Sequence, residues 1–248
     1  MTTVLMLASF GLEIVECGGA LARHVQAGDT VRAAVLMSRP ESRPQVTEAA
    51  QILGIPDVEY LNFPYGEYQV DVASKERVVA LIRRVKPDIV IMQDPHHAQH
   101  DLDPDRRIIA LLYAESFALA GRDWHIQECG GHPAHPVPTF YYMSPEEPNC
   151  IIEISPYFEL KEKALTKLGY QMAFSAQSIK QRANESILRY VVPDYDQKSQ
   201  DLTQLGLEFH RQFDLALALY HGLAGHSGAV LGEAYRREGP FVLETLLK

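Results

Sequence analysis

The sequence predicts a Rossmann-like α/β fold, a doubly wound and mostly parallel sheet with a helical elaboration in its C-terminal part. Three observations predict it. Val4-Leu-Met-Leu7 and Ile89-Val-Ile-Met92 are short, continuous apolar runs, the pattern of strands buried on both faces. Such runs alternate with segments of helical period, which implies right-handed crossovers between parallel strands. The second run empties into Asp94-Pro-His-His-Ala-Gln-His-Asp-Leu-Asp-Pro-Asp105, a loop that gathers four Asp and three His. A loop at the carboxyl edge of a parallel sheet is where open α/β folds hold their ligands.

The elements follow in order. After the strand at Val4, helical periodicity runs from about Glu13 to Gln26 and stops at Gly28-Asp29. Val31 to Leu36 is a second strand, and Pro44 to Leu53 a helix ended by Gly54. Val58 to Leu61 is a third strand. The next helix, Val72 to Val85, turns Val78, Val79, Leu81 and Ile82 inward. Beyond the His/Asp loop, Asp103 is a good N-cap and Pro104 a good first-turn residue for a helix reaching about Ala120. Residues 1–125 thus form the βα core of one domain spanning 1–248. In 126–248, the Gly/Pro-punctuated stretch Gly130-Gly-His-Pro-Ala-His-Pro-Val-Pro is a loop placed as a lid. Two strands, Thr139–Met143 and Cys150–Ile154, come next. Helices follow from about Pro156 to Ser178 and from Leu202 to Gly222.

Composition narrows the function classes. Apolar content is 46%, charged content 22% and net charge -9, the values of a soluble globular chain with no attraction for nucleic acid or an anionic membrane. No apolar run approaches the roughly 18 residues of a membrane span. Cys17, Cys129 and Cys150 have neither the number nor the spacing of a disulfide framework. The expected compartment is the cytoplasm, and the expected partner a small molecule, with homo-oligomerisation open.

Several segments, in collinear order, resemble the LmbE/PIG-L deacetylases. They begin with the strand at Val4 to Ala8, Glu13, and Cys17-Gly-Gly-Ala-Leu-Ala22, and continue with Gly28-Asp-Thr-Val31, Ala49 to Gly54, Leu61-Asn-Phe-Pro-Tyr-Gly66, Val85 to Val90 and Asp103-Pro-Asp-Arg-Arg107. They end with Ile152-Glu-Ile-Ser155, Lys161 to Ala164 and Glu233-Ala-Tyr-Arg236. The resemblance implies a zinc site in which a His and an Asp of the first loop and a later His bind the metal, with another Asp as general base. Here the three ligand positions fall on Ser9, Leu12 and Arg106, and the base position on Gly11. The resemblance therefore implies a scaffold whose ancestral zinc site is replaced. Leu has no donor atom, and a fixed Arg cation repels a dication.

Three functions remain compatible with this pattern. In the first, an enzyme works in the same pocket without the ancestral metal. Arg106 then meets a substrate carboxylate or oxyanion, and Asp105, Asp103, Glu13, His97 or His100 supplies acid/base chemistry. Hydration, dehydration or isomerisation of a small carboxylate compound suits this better than amide hydrolysis, which leans on a metal. Ser9, Arg43, Tyr65 and His132 are further candidates for contacting substrate. No cofactor is expected in this case. In the second, zinc moves to His96, His97 and His100. In the third, the scaffold is kept for binding or assembly alone. An internal ion pair of Arg106 with Asp103 or Asp105 is the plain structural alternative to its role in binding.

Overall fold

The computed structural model describes residues 1–239. A seven-stranded sheet in the order β3-β2-β1-β4-β5-β7-β6 forms its centre. The strands are β1 (Thr3–Ala8), β2 (Thr30–Val35), β3 (Val58–Tyr60), β4 (Ile89–Gln93), β5 (Thr139–Met143), β6 (Cys150–Glu153) and β7 (Gly232–Arg237). The first five pair in parallel, whereas β7 runs antiparallel to both β5 and β6. The expected α/β fold with a mostly parallel sheet is what the chain adopts. Periodicity alone did not mark β7, because Gly-Glu-Ala-Tyr-Arg-Arg shows no clear apolar alternation.

Helices cover both faces. On one side lie α1 (Leu12–Glu16), α2 (Gly18–Gln26), α3 (Arg43–Ile52) and α7 (Phe158–Leu165), packed on Val4, Met6 and Ala8 of β1. On the other lie α4 (Val72–Val85) and α6 (Pro104–Ala120), packed on Leu5 and Leu7. Successive β1 side chains alternate between the two cores, as strand geometry requires. The expected helix from Glu13 to Gln26 is divided at Cys17, so that α1 and α2 are separate pieces. The expected loop after β4 is also helical, forming α5 (Pro95–His100). Asp94 caps α5 by accepting the His96 N–H at 2.9 Å, with Pro95 at the first position. The Asp–Pro start at Asp103-Pro104 is the same device used twice.

The helical remainder comprises α8 (Gly169–Arg182), α9 (Glu185–Val191), α10 (Tyr195–Lys198) and α11 (Leu202–His221). The Gly/Pro loop before β5 is not a lid over the carboxyl edge. Because β5 runs parallel to β4, the loop that feeds it lies at the opposite, amino edge. There the His135 N–H donates to Ala120 O at 2.8 Å, and its ring nitrogen lies 2.9 Å from Pro87 O.

Segments distant in sequence close together at the start of α2. Glu233 accepts the backbone N–H groups of Gly19 at 2.8 Å and Ala20 at 2.9 Å, placing a carboxylate on the positive end of that helix. Tyr235 donates its hydroxyl to the same carboxylate, and Lys161 pairs with it at 3.3 Å. Gly19 makes room for this arrangement: a Cβ there would lie 2.5 Å from Ile154 Cγ2 and 2.8 Å from Glu233 Oε1. A Cβ on Gly18 would meet only the flexible side chains of Leu53 and Lys161, at 3.2 Å or more. Gly19→Ala should therefore lower the unfolding free energy by about 1–3 kcal/mol through overpacking, in urea titrations read by circular dichroism. Helix propensity alone would raise it by up to ~1 kcal/mol, so stabilisation by Gly19→Ala would remove the steric account. Gly18→Ala should be close to neutral.

Candidate functional site

The strand order reverses between β1 and β4, and a cavity of about 370 Å³ opens beyond their carboxyl ends. Gln93 of β4, His97 of α5, Asp101 just after α5, and Arg106 in the first turn of α6 form one side. Glu16, Lys161, Glu233 and Tyr235 line another part, and Phe213, Asp214, Leu217 and His221 of α11 complete the wall.

Arg106 is held by three groups. Its Nη1 donates to Gln93 Oε1 at 2.7 Å and lies 3.5 Å from Glu13 Oε1, while Nε lies 3.2 Å from Asp101 Oδ2. Among the described residues, no hydrogen bond engages Nη2. The guanidinium also lies over Phe10, 5.1 Å from the ring centroid, and Phe10 stacks on Tyr65 at 5.9 Å. The ion pairs expected with Asp103 or Asp105 are thus replaced by pairs with Glu13 and Asp101.

Glu13 folds back on its own loop. Its carboxylate accepts the N–H groups of Ser9, Phe10 and Gly11, the last at 2.8 Å. The turn that permits this puts Gly11 at φ +105°, a conformation that side-chain-bearing residues rarely adopt, and a Cβ there would lie 2.9 Å from Val46. Glu13 therefore buttresses Arg106 from behind and does not line the cavity.

The other candidates separate clearly. Asp103 caps α6, accepting the Asp105 N–H at 2.9 Å. Asp105 turns away from the cavity and accepts the Gly66 N–H at 3.0 Å, tying the loop after β3 to α6. Burial pushes its carboxyl above the ordinary range; the Gly66 N–H opposes this and Asp103 adds to it. His97 lines the cavity, whereas His100 is 75% exposed and lies 3.6 Å from Glu146. Ser9 and Leu12 are outside the cavity lining, Ser9 being buried and Leu12 packed into the core. Arg43 is engaged by Ser38, through its Oγ at 2.9 Å, and packs over Tyr60. Tyr65 is outside the cavity lining, stacked on Phe10 with Arg39 over its ring. His132 belongs to the loop at the amino edge, away from the cavity. Among the described residues, no three His, Cys, Asp or Glu converge as a metal site, so His96, His97 and His100 do not assemble one.

The cavity also contains groups that the sequence reasoning did not single out as site residues. Glu16, half-buried at the end of α1, has its carboxyl pushed up to about 7 by burial, with Glu13 and Asp214 adding to the rise against Arg106 and Lys161. Burial alone would lower the Lys161 pKa, but Glu233, followed by Asp214, Cys17 and Glu16, holds it above the ordinary value. Asp214 is the one acidic residue within an otherwise apolar run of α11, from Phe213 to Tyr220. That isolated charge was the available signal.

Just behind the cavity, Asp94 is fully buried and bound through both oxygens by Arg236, at 2.8 and 3.1 Å. Burial would raise the Asp94 carboxyl, but the Arg236 hydrogen bonds and the His96 N–H outweigh it and hold it below the usual range.

This is an α/β protein with a cavity at the switch point of its sheet, lined by charged groups from several helices and strands. The comparisons agree with the LmbE/PIG-L resemblance that the sequence motifs carry. It is 30% identical over 122 residues to the diacetylchitobiose deacetylase of Thermococcus kodakarensis, a match covering 47% of this chain and 44% of that one. The alignment thus spans less than half the length of that curated relative. Among solved structures, the conserved protein TT1542 of Thermus thermophilus matches with a TM-score of 0.72 at 20% identity, covering 100% of both chains. GalB, the 4-carboxy-2-hydroxymuconate hydratase of Pseudomonas putida KT2440, matches with a TM-score of 0.68 at 18% identity, again over 100% of both chains. These likenesses fix the fold. No protein-family model matches the chain.

Removing one partner of a buried ion pair strands the other charge. Arg236→Ala should therefore cost about 3–5 kcal/mol of stability at neutral pH. Because the Asp94 pKa is depressed on folding, its contribution is complete above the unfolded value of about 3.9. That contribution disappears as pH falls through the folded value. The difference between wild type and Arg236→Ala should therefore shrink in acid denaturation series below about pH 4. A difference independent of pH would show that the pair is not what Arg236 supplies.

Proposed function

We propose that this protein is an enzyme acting on a small polar or carboxylate compound in the cavity beyond β1 and β4, without zinc at the ancestral position. The single observation that carries this reading is Arg106, a buttressed cation at the cavity wall in place of a metal ligand. Its companion positions do not fit zinc either: Leu12 offers no donor, and Ser9 lies outside the cavity lining. The deacetylase relative and the hydratase neighbour show that proteins of similar sequence or fold carry out both kinds of chemistry.

The residues favour addition or elimination of water, or isomerisation, over amide cleavage. Arg106 is oriented by Gln93, Asp101 and Glu13, leaving Nη2 to meet a substrate carboxylate or a developing oxyanion. His97 is the candidate from the His-rich segment that faces the same space, and imidazole is a common general acid or base. Asp103, Asp105 and Glu13 have structural engagements that remove them from proton transfer. Held in place by protein alone, the Arg106 charge needs no exchangeable ion, whereas amide cleavage leans on metal activation of both water and carbonyl.

Two measurements test this. Elemental analysis of protein incubated with zinc and then dialysed should give well below one zinc per chain. A stoichiometric zinc would overturn the reading. In a screen of unsaturated and hydroxylated small carboxylates, Arg106→Gln should lower kcat/KM by ~10²–10³, the cost of losing one oriented charge at an oxyanion. Arg106→Gln with unchanged kinetics would remove Arg106 from the site.

A further inference from the structure

The formal charges lining the cavity do not cancel. Six acidic or basic side chains face it besides the histidines: the bases Arg106 and Lys161, and the acids Glu16, Asp101, Asp214 and Glu233. Both cations are paired, Arg106 with Asp101 at 3.2 Å and Lys161 with Glu233 at 3.3 Å. Arg106 has a second carboxylate behind it in Glu13. Lys161 is committed further, donating to Glu16 O at 2.7 Å. Among the described residues, Glu16 and Asp214 are left without a counter-ion. Asp214 is only 9% exposed, yet among those residues its carboxylate accepts no hydrogen bond and forms no ion pair. Asp214 lines the cavity, so a cation entering that space can reach its carboxylate. The side chains beside it on α11, Phe213 and Leu217, are apolar and half-exposed to the cavity.

We infer that Glu16 and Asp214 form a subsite for a protonated amine, so that the cavity takes a small molecule carrying an ammonium group together with an anionic group. The anionic half of this statement rests on the reading of Arg106 given above; the ammonium half stands on Glu16 and Asp214 alone. An alkylammonium supplies three N–H donors for the two carboxylates and an apolar stem for Phe213 and Leu217, matching what the wall offers. The compound is thus zwitterionic.

The charges around Glu16 give the subsite a pH dependence with a definite sign. Glu13 from its own helix and Asp214 from α11 raise its carboxyl, and Arg106 from α6 and Lys161 from α7 lower it. His97 of α5 and His221 of α11 also face the cavity, and Glu233 of β7 is engaged by Lys161. Only ionised Glu16 attracts a cation. An ammonium of pKa about 10 stays charged throughout the neutral range. Amine affinity should therefore rise from about pH 6 to pH 8, and binding near pH 7 should expel a proton from Glu16.

The test is calorimetric titration of the whole protein with three matched series: the ω-amino acids from 3-aminopropionate to 6-aminohexanoate, the alkanoates of equal length, and the alkylamines of equal length. At least one amino acid should bind tenfold or more tightly than its alkanoate. Glu16→Gln and Asp214→Asn should each remove most of that gain without weakening alkanoate binding. Arg106→Gln should do the reverse. Amines that bind wild type and lose affinity in Asp214→Asn, in the absence of alkanoate binding, would uphold the ammonium subsite and overturn the Arg106 reading. Amino acids no tighter than alkanoates, or a gain that survives both carboxylate variants, would overturn the ammonium subsite. Titrating wild type at pH 7 in buffers of different ionisation enthalpy gives a check that needs no variant. Amine binding without proton release would overturn the part assigned to Glu16.

Discussion

The Glu233 carboxylate is the constraint on which much of the rest depends. It lies at the N-terminus of α2, takes the Tyr235 hydroxyl, and receives Lys161 from α7. Through it, the first crossover, the helix after β6 and the antiparallel strand β7 share one buried polar junction. A carboxylate in that position gains from the helix N-terminus and from the ammonium together. Gly19 keeps the helix close enough for both bonds to form. With β7 anchored there, Arg236 on the same strand reaches Asp94, and Asp94 in turn starts α5. One junction thus orients both the floor of the cavity and the helix that brings His97 to it.

Much of the scaffold was legible in the sequence because each strand of the core is a compact apolar run and most of the long helices have a cap or a glycine stop. The alternation from Val4 to Ala120 needed only local physics to be read. What local physics cannot supply is the partner of a residue far away. Arg106 was recognisable as a cation at the head of a helix, but its partners Glu13 and Asp101 depend on how the first loop turns at Gly11. The same turn takes Glu13 out of the cavity. His132 was misplaced for a topological reason: a loop feeding a parallel strand lies at that strand's amino end, whatever its composition.

Glu16 and Asp214 show the other kind of illegibility. Each is an acid inside an apolar helical stretch, a pattern that signals either a solvated stripe or a buried group facing a cavity. Only the approach of α11 to α1, from opposite ends of the chain, distinguishes the two. Asp105 carries the converse lesson. It matches the LmbE/PIG-L pattern in sequence, yet here it fastens Gly66 to α6 and faces away from the space it was expected to serve.

The placement of β7 has a consequence for how the molecule comes into being. This strand lies between β5 and β6, although about eighty residues separate it from β6 in the chain. Until it inserts, β5 has an unpaired edge and β6 has no neighbour at all. Contacts such as Glu233 to Gly19 span 214 residues, and loop closure over such a length slows assembly. During synthesis the growing chain must therefore hold an open β5 edge until β7 emerges about ninety residues later, a window in which strand edges are prone to pair with the wrong partner.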